Sequence, residues 1–312
     1  MRFFKSVVIV ALAVVFLLSS CSGGKVLGKG SVTVGSKIDT EGALLGSMIV
    51  LLLEDNDFTV KNSVQLGPTN IVRKAIINGE IDIYPEYTGN GGFFYPDAPQ
   101  DVWKDRKKAY ETVKRLDYET NKIVWLEPAP ANNTWAIAVR SDLAGGNLVS
   151  LDDLAEYINA GGVFKIAGSE EFVSRPDALP AFEKAYGFKL SKEQLLILSG
   201  GDTATTEKAA ANGTDGVNAA MAYGTDGQLA ALGLVVLEDN RGVQPVYEPA
   251  PIIREDVLKK YPEIKDILAH VFKSLDLVTL QSLNSQISVE GKSPSDVAKK
   301  YLKEKGFLKG EK

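Results

Sequence analysis

Apolar and polar residues alternate over 31–35, and a largely apolar stretch follows at 41–54. The first pattern has the period of a half-buried strand. The second is long enough for a helix packed on most of its faces, so the chain beyond its leader opens strand then helix. A helix over 69–78 ends at Asn78-Gly79, a pair suited to a left-handed cap. A short strand at 81–84, a helix at 109–119 and an apolar strand at 135–139 come next. The middle repeats this grammar, with strands at 164–167, 195–198, 217–223 and 235–238 and helices at 175–186 and 205–211. Three helices, at 255–261, 262–275 and 294–305, close the chain. Strands alternating with helices predict parallel α/β sheets.

One internal echo divides the pattern. The helix ending at Asn78-Gly79 leads to a strand carrying Tyr84 and a Tyr87-Thr88-Gly89 turn. The helix ending at Asn212-Gly213 leads to a strand carrying Tyr223 and a Gly224-Thr225-Asp226-Gly227 turn. Two α/β lobes, 31–138 plus 240–312 and 139–239, would each present a tyrosine-bearing strand end to a shared crevice. Open α/β sheets bind ligands at such ends, and two lobes linked by two crossovers can close on a hinge.

The first 21 residues have a different character. Arg2 and Lys5 precede an apolar run at 7–18, too short to span a bilayer but suited to a secretion signal. The run closes on Leu18-Ser19-Ser20-Cys21, the pattern of a bacterial lipobox, so Cys21 is the expected lipidation site. Residues 22–30 read as a flexible tether. The folded part is thus expected outside the cytoplasm, without disulfides, held to a membrane by a lipid anchor.

Composition narrows the chemistry. With 35 basic and 40 acidic residues, interspersed, no basic stripe marks a nucleic-acid surface. One histidine, His270, and one cysteine leave no Ser-His-Asp triad and no His/Cys metal site. A carboxylate-only enzyme using Glu41, Glu86 or Asp226 is the remaining catalytic option, and neither a cofactor nor a metal is expected.

The aromatic residues point to binding. Tyr87, Trp135, Tyr223 and Tyr247 fall at predicted strand ends or in loops beside Gly, Pro or an amide residue. Converging ring faces attract a cation that donates no hydrogen bonds. Lys37, in the loop between the first strand and helix, and Arg175, expected at the start of a helix, are candidates for an anionic group. Tyr110, Tyr118, Tyr157, Tyr186, Tyr261 and Tyr301 lie on helical patterns and read as packing residues.

The stretches Asp82-Ile-Tyr-Pro-Glu-Tyr-Thr-Gly, Asn132-Asn-Thr-Trp-Ala, Glu171-Phe-Val-Ser-Arg-Pro-Asp, Ala222-Tyr-Gly-Thr-Asp-Gly and Tyr247-Glu-Pro-Ala-Pro carry a resemblance. The chain from about Val32 onward resembles the substrate-binding lipoproteins of osmoprotectant ABC transporters of the glycine betaine/choline/carnitine/proline type. That resemblance implies a type II periplasmic-binding fold and a cage of Tyr87, Trp135, Tyr223 and Tyr247 around a quaternary ammonium. It also implies carboxylate contacts from Lys37 and Arg175, and a partner permease with a separate ATPase. Three positions depart from the pattern. Trp135 stands where the family usually has Tyr, Asn90 replaces a common Thr, and Asn133 replaces a carboxylate found in some relatives. Glycine betaine is the expected ligand, with choline, lacking a carboxylate, weaker. A receptor of the same fold for another solute such as an amino acid, a sensor, and an enzyme on this fold stay open as alternatives.

Overall fold

The computed structural model describes residues 28–145, 148–199 and 202–309. The leader, Cys21 and residues 22–27 of the expected tether lie outside the described residues. The tether ends earlier than expected: the Lys29 N–H already donates to Asp57 O at 2.8 Å, and Gly30 belongs to the first strand.

Among the described residues, ten strands form two five-stranded sheets. They are β1 (Gly30–Lys37), β2 (Phe58–Gly67), β3 (Ile83–Tyr87), β4 (Ile123–Trp125), β5 (Trp135–Arg140), β6 (Ile166–Ser169), β7 (Leu195–Leu198), β8 (Ala219–Tyr223), β9 (Leu234–Val236) and β10 (Pro249–Arg254). The sheet orders are β2-β1-β3-β10-β4 and β7-β6-β8-β5-β9. β1 runs parallel to β2 and β3, and β6 parallel to β7 and β8. Each sheet also holds one antiparallel strand next to its parallel set, β10 against β3 and β5 against β8. Those two strands directly follow the places where the chain passes from one sheet to the other.

Helix Thr40–Asp55 is the centre of the first lobe. Asp39 caps it by accepting the Gly42 N–H at 2.7 Å. Leu44, Leu45, Met48, Ile49, Leu52 and Leu53 are buried along it, in one cluster with Leu268 and Phe272 of helix Ile264–Lys273 and Leu302 of helix Pro294–Glu304. Because nearly every face is covered, the helix reads as an apolar run and not as a clean stripe. The second lobe closes over Ile137, Val139, Ile166, Phe172, Phe182 and Met221.

Four expectations need correction. β2 escaped the pattern because it is a polar, half-exposed edge strand. The C-terminal region holds a fourth helix, Leu277–Ser288, capped by Asp276, whose polar Thr, Gln, Ser and Asn residues hid its period. The helix expected at 175–186 begins only at Leu179; Arg175 is the C-cap of helix Glu170–Ser174, with φ −69° and ψ 131°. Pro176 causes this, since the residue before a proline is driven out of the α region. Finally, a lobe boundary at 138/139 would cut β5, which pairs entirely within the second sheet. The first crossing therefore precedes Trp135, and the second runs through Pro245 to Glu248. The two crossings lie side by side: Asn133 N donates to Tyr247 O at 2.8 Å, Tyr247 N to Asn132 Oδ1 at 2.8 Å, and Thr134 Oγ1 to Pro245 O at 3.1 Å.

Candidate functional site

Lys37 ends β1 with its ammonium 2.7 Å from Glu86 Oε1 and 4.7 Å from the centre of the Tyr87 ring. Glu86, fully buried on β3, also accepts from Tyr84 Oη at 2.8 Å, Tyr87 N at 2.7 Å and Asn90 Nδ2 at 2.7 Å. A buried carboxylate with this many donors is held rigid. It fixes Lys37 and Asn90 on the same spot. Tyr84 belongs to the core and not to the cleft, since it is fully buried and spends its hydroxyl on Glu86.

Arg175 sits across from them on the second lobe. Its Nη1 donates to Asn90 Oδ1 at 2.9 Å and to Glu171 Oε1 at 2.8 Å, while Nε and Nη2 grip Asp177 at 2.9 and 2.6 Å. The bidentate face expected for a ligand is therefore occupied by Asp177. Burial opposes the guanidinium charge, but the Asp177 and Glu171 carboxylates hold it firmly protonated. Its Cζ lies 4.4 Å from the Phe93 ring centre and 5.7 Å from that of Trp135.

Trp135 opens β5 and Tyr223 ends β8, and the two are direct cross-strand partners. Their rings meet edge to face, centroids 5.5 Å apart. Tyr87 ends β3, paired with Pro249 of β10. Tyr247 lies in the second crossing and rests on Gly89, where a Cβ would come within 2.7 Å of its ring. The Tyr247 hydroxyl is buried with no hydrogen-bond partner.

These elements bring Lys37, Tyr87, Asn90, Asn133, Trp135, Arg175, Tyr223 and Tyr247 to the walls of a single cleft between the lobes. Ile38, Asp39, Pro68, Thr69 and Glu171 complete its lining. Sequence reasoning missed these five as site residues, although Glu171 stands one helical turn before Arg175 and Asp39 at the helix N-cap. Hydrogen bonds between the lobes include Arg175 to Asn90, Thr40 Oγ1 to Asp202 Oδ1 at 3.1 Å, and Gln281 and Asn284 to the Gly224 and Thr225 carbonyls, each at 3.0 Å.

The sequence profile of the substrate-binding domain of ABC-type glycine betaine transport systems matches residues 30–304. The chain belongs to this family. It is 61% identical over 279 residues to the glycine betaine-binding protein YehZ of Escherichia coli, covering 89% of this chain and 92% of that protein. It is 30% identical to a glycine-betaine-binding protein of Pseudomonas aeruginosa, covering 89% of each. The structure of apo YehZ matches with a TM-score of 0.65 over 89% of this chain and 99% of that one. A glycine betaine/carnitine/choline ABC transporter structure, 24% identical, shares the fold with a TM-score of 0.68 over 89% and 100%. The two-lobed periplasmic-binding fold and the receptor role of the family stand on these matches; it is a family of transport receptors and not of catalysts.

Glu41 does not face solvent. It lies on the first turn of helix Thr40–Asp55, buried behind the cleft. Its Oε1 accepts from Tyr87 Oη at 3.0 Å and Asn133 Nδ2 at 3.2 Å, and its Oε2 from Asn284 Nδ2 at 2.8 Å. Burial pushes its carboxyl up to about 7, against the pull of its hydrogen bonds to Thr225, Asn284 and Tyr87. Asn133 thus does not face the cleft as an isolated amide. Its Nδ2 is shared between Glu41 and Thr225 Oγ1, the latter at 2.5 Å. Asn284 comes from the helix that sequence reading overlooked.

Proposed function

We propose that the cleft captures glycine betaine and hands it to an ABC permease driven by a separate ATPase. The observation that carries this reading is the convergence of four aromatic side chains and two cations on one cleft. Tyr87, Trp135, Tyr223 and Tyr247 surround the quaternary nitrogen, which needs ring faces and no hydrogen bonds. Lys37, Arg175 and Asn90 meet the carboxylate. The orphan Tyr247 hydroxyl supports a ligand with an acceptor, because a buried hydroxyl left unpaired costs about 1–3 kcal/mol.

Closure is part of the proposal. Arg175–Asn90 and Thr40–Asp202 cross between the lobes beside the ligand space, so they break when the cleft opens. A TM-score of 0.65 between chains 61% identical is low for a single shared lobe arrangement, which fits lobes standing at different angles in the two structures. Substrate-binding proteins of ABC importers work outside the cytoplasm. For this chain we add that the signal is cleaved just before Cys21 and that a lipid on Cys21 anchors it to a membrane. Among the described residues no helix is long and apolar enough to cross a membrane.

Calorimetric titration of the purified protein with glycine betaine, choline, carnitine and proline betaine tests the reading. Saturable one-site binding of betaine, weaker for choline, is expected. No heat with any quaternary amine, or choline binding as tight as betaine, overturns it.

A further inference from the structure

We infer that Glu41 is the counter-anion of the site: from behind the cage, through Tyr87 and Asn133, its carboxylate attracts the ligand's quaternary nitrogen and sets the affinity. The inference rests on the reading of the cleft as a quaternary-ammonium site. Glu41 does not line the cleft, but two residues that do, Tyr87 and Asn133, direct hydrogen-bond donors at its Oε1. The third donor, Asn284, gives one N–H to Oε2 and the other to Thr225 O at 3.0 Å, leaving its own carbonyl oxygen unpartnered. Every close polar neighbour therefore donates, which is the environment of an ionised carboxylate. A phenol whose proton points at a carboxylate presents a more electron-rich ring to a cation. Of the other nearby carboxylates, Glu86 is matched by Lys37 and Glu171 and Asp177 by Arg175, while Asp39 serves as the cap of the Glu41 helix and acts on Glu41 as a like charge. Glu41 has no cationic partner among the described residues, so its charge is uncompensated until a cationic group enters.

The groups facing Glu41 are Asp39 from its own N-cap, Tyr87 from β3, Asn133 from the first crossing, Thr225 from the loop after β8, and Asn284 from helix Leu277–Ser288. Of these Asp39 alone is charged, and its repulsion adds to burial in raising the Glu41 carboxyl. The sign follows. A cation stabilises the deprotonated form, so affinity rises as pH climbs through about 7.

The test separates charge from structure with two ligands of one shape: glycine betaine and tert-butylacetate, in which carbon replaces the quaternary nitrogen. A unit charge one phenol ring from the cation is worth roughly ten- to fiftyfold in affinity at an effective dielectric near 20. Glu41→Gln is therefore expected to weaken betaine by that factor and tert-butylacetate by less than about twofold. Equal losses for both ligands overturn the inference. Should Glu41→Gln fail to fold, the wild-type protein is titrated from about pH 6 to about pH 8.5. Betaine affinity rising across that range while tert-butylacetate stays flat supports Glu41; parallel or flat profiles overturn it. Failure of betaine to bind the wild-type protein at any pH refutes the quaternary-ammonium reading itself, a different result from either.

Discussion

Trp135 stacks flat on Phe172, ring centroids 5.0 Å apart and planes 10° from parallel. Phe172, fully buried on helix Glu170–Ser174, covers one face of the indole and so fixes where the opposite face points. The same short helix ends in Arg175. One element thus positions both a wall of the proposed aromatic cage and a cation of the cleft.

This relationship predicts a graded pair of losses. Trp135→Ala removes the strongest cation–π face and is expected to weaken betaine by about 2 kcal/mol, roughly thirtyfold. Phe172→Leu keeps the core filled, at a stability cost of about 1–2 kcal/mol, yet weakens betaine several-fold by unbacking the indole. Calorimetry alongside thermal melts checks both, and unchanged affinity in Phe172→Leu refutes the backing role.

Arg175 and Asp177 make opposite predictions. Asp177 occupies the guanidinium fork at 2.6–2.9 Å. Releasing it with Asp177→Asn is expected to tighten betaine several-fold and leave choline, which has no carboxylate, nearly unchanged. Arg175→Ala is expected to weaken betaine far more than choline. A uniform loss for both ligands would assign Arg175 a structural role only.

Glu86 anchors Lys37, Tyr84, Tyr87 and Asn90 at once. Glu86→Ala strands a buried ammonium and three other donors, so unfolding free energy is expected to drop by about 3–5 kcal/mol. Urea denaturation measures this, and a loss below about 1 kcal/mol contradicts the anchoring role.

Glu207 is fully buried near Asp226, and burial, then the Asp226 charge, drives its carboxyl far above the ordinary value of 4.5. A raised carboxyl binds its proton more tightly folded than unfolded. Its stabilisation is therefore complete below about pH 4.5 and is lost as pH rises. Glu207→Gln replaces a neutral acid by a neutral amide. Its stability relative to wild type is expected to improve steadily from about pH 5 to about pH 9, read by urea denaturation. A constant difference across that range rules out a buried proton on Glu207.

Much of this molecule was legible in its residues. The helix at Thr40–Asp55, the strands bearing Trp135 and Tyr223, and eight of the thirteen residues that line the cleft could be named from local pattern and resemblance, because apolar period, Gly-flanked aromatics and caps are short-range signals. β2 and helix Leu277–Ser288 were not legible, since a polar edge strand and a helix buried on a narrow stripe leave little period to read. Tertiary structure alone decided the electrostatics. That Asn90 meets Arg175 from the other lobe, that Glu86 neutralises Lys37, and that Glu41 gathers Tyr87, Asn133 and Asn284 across up to 243 positions depends on distances between segments far apart in the chain. Charge interactions vary with separation and burial, and neither is written in the order of residues; the order determined which groups the cleft would hold, and packing determined which of them stay free for a ligand.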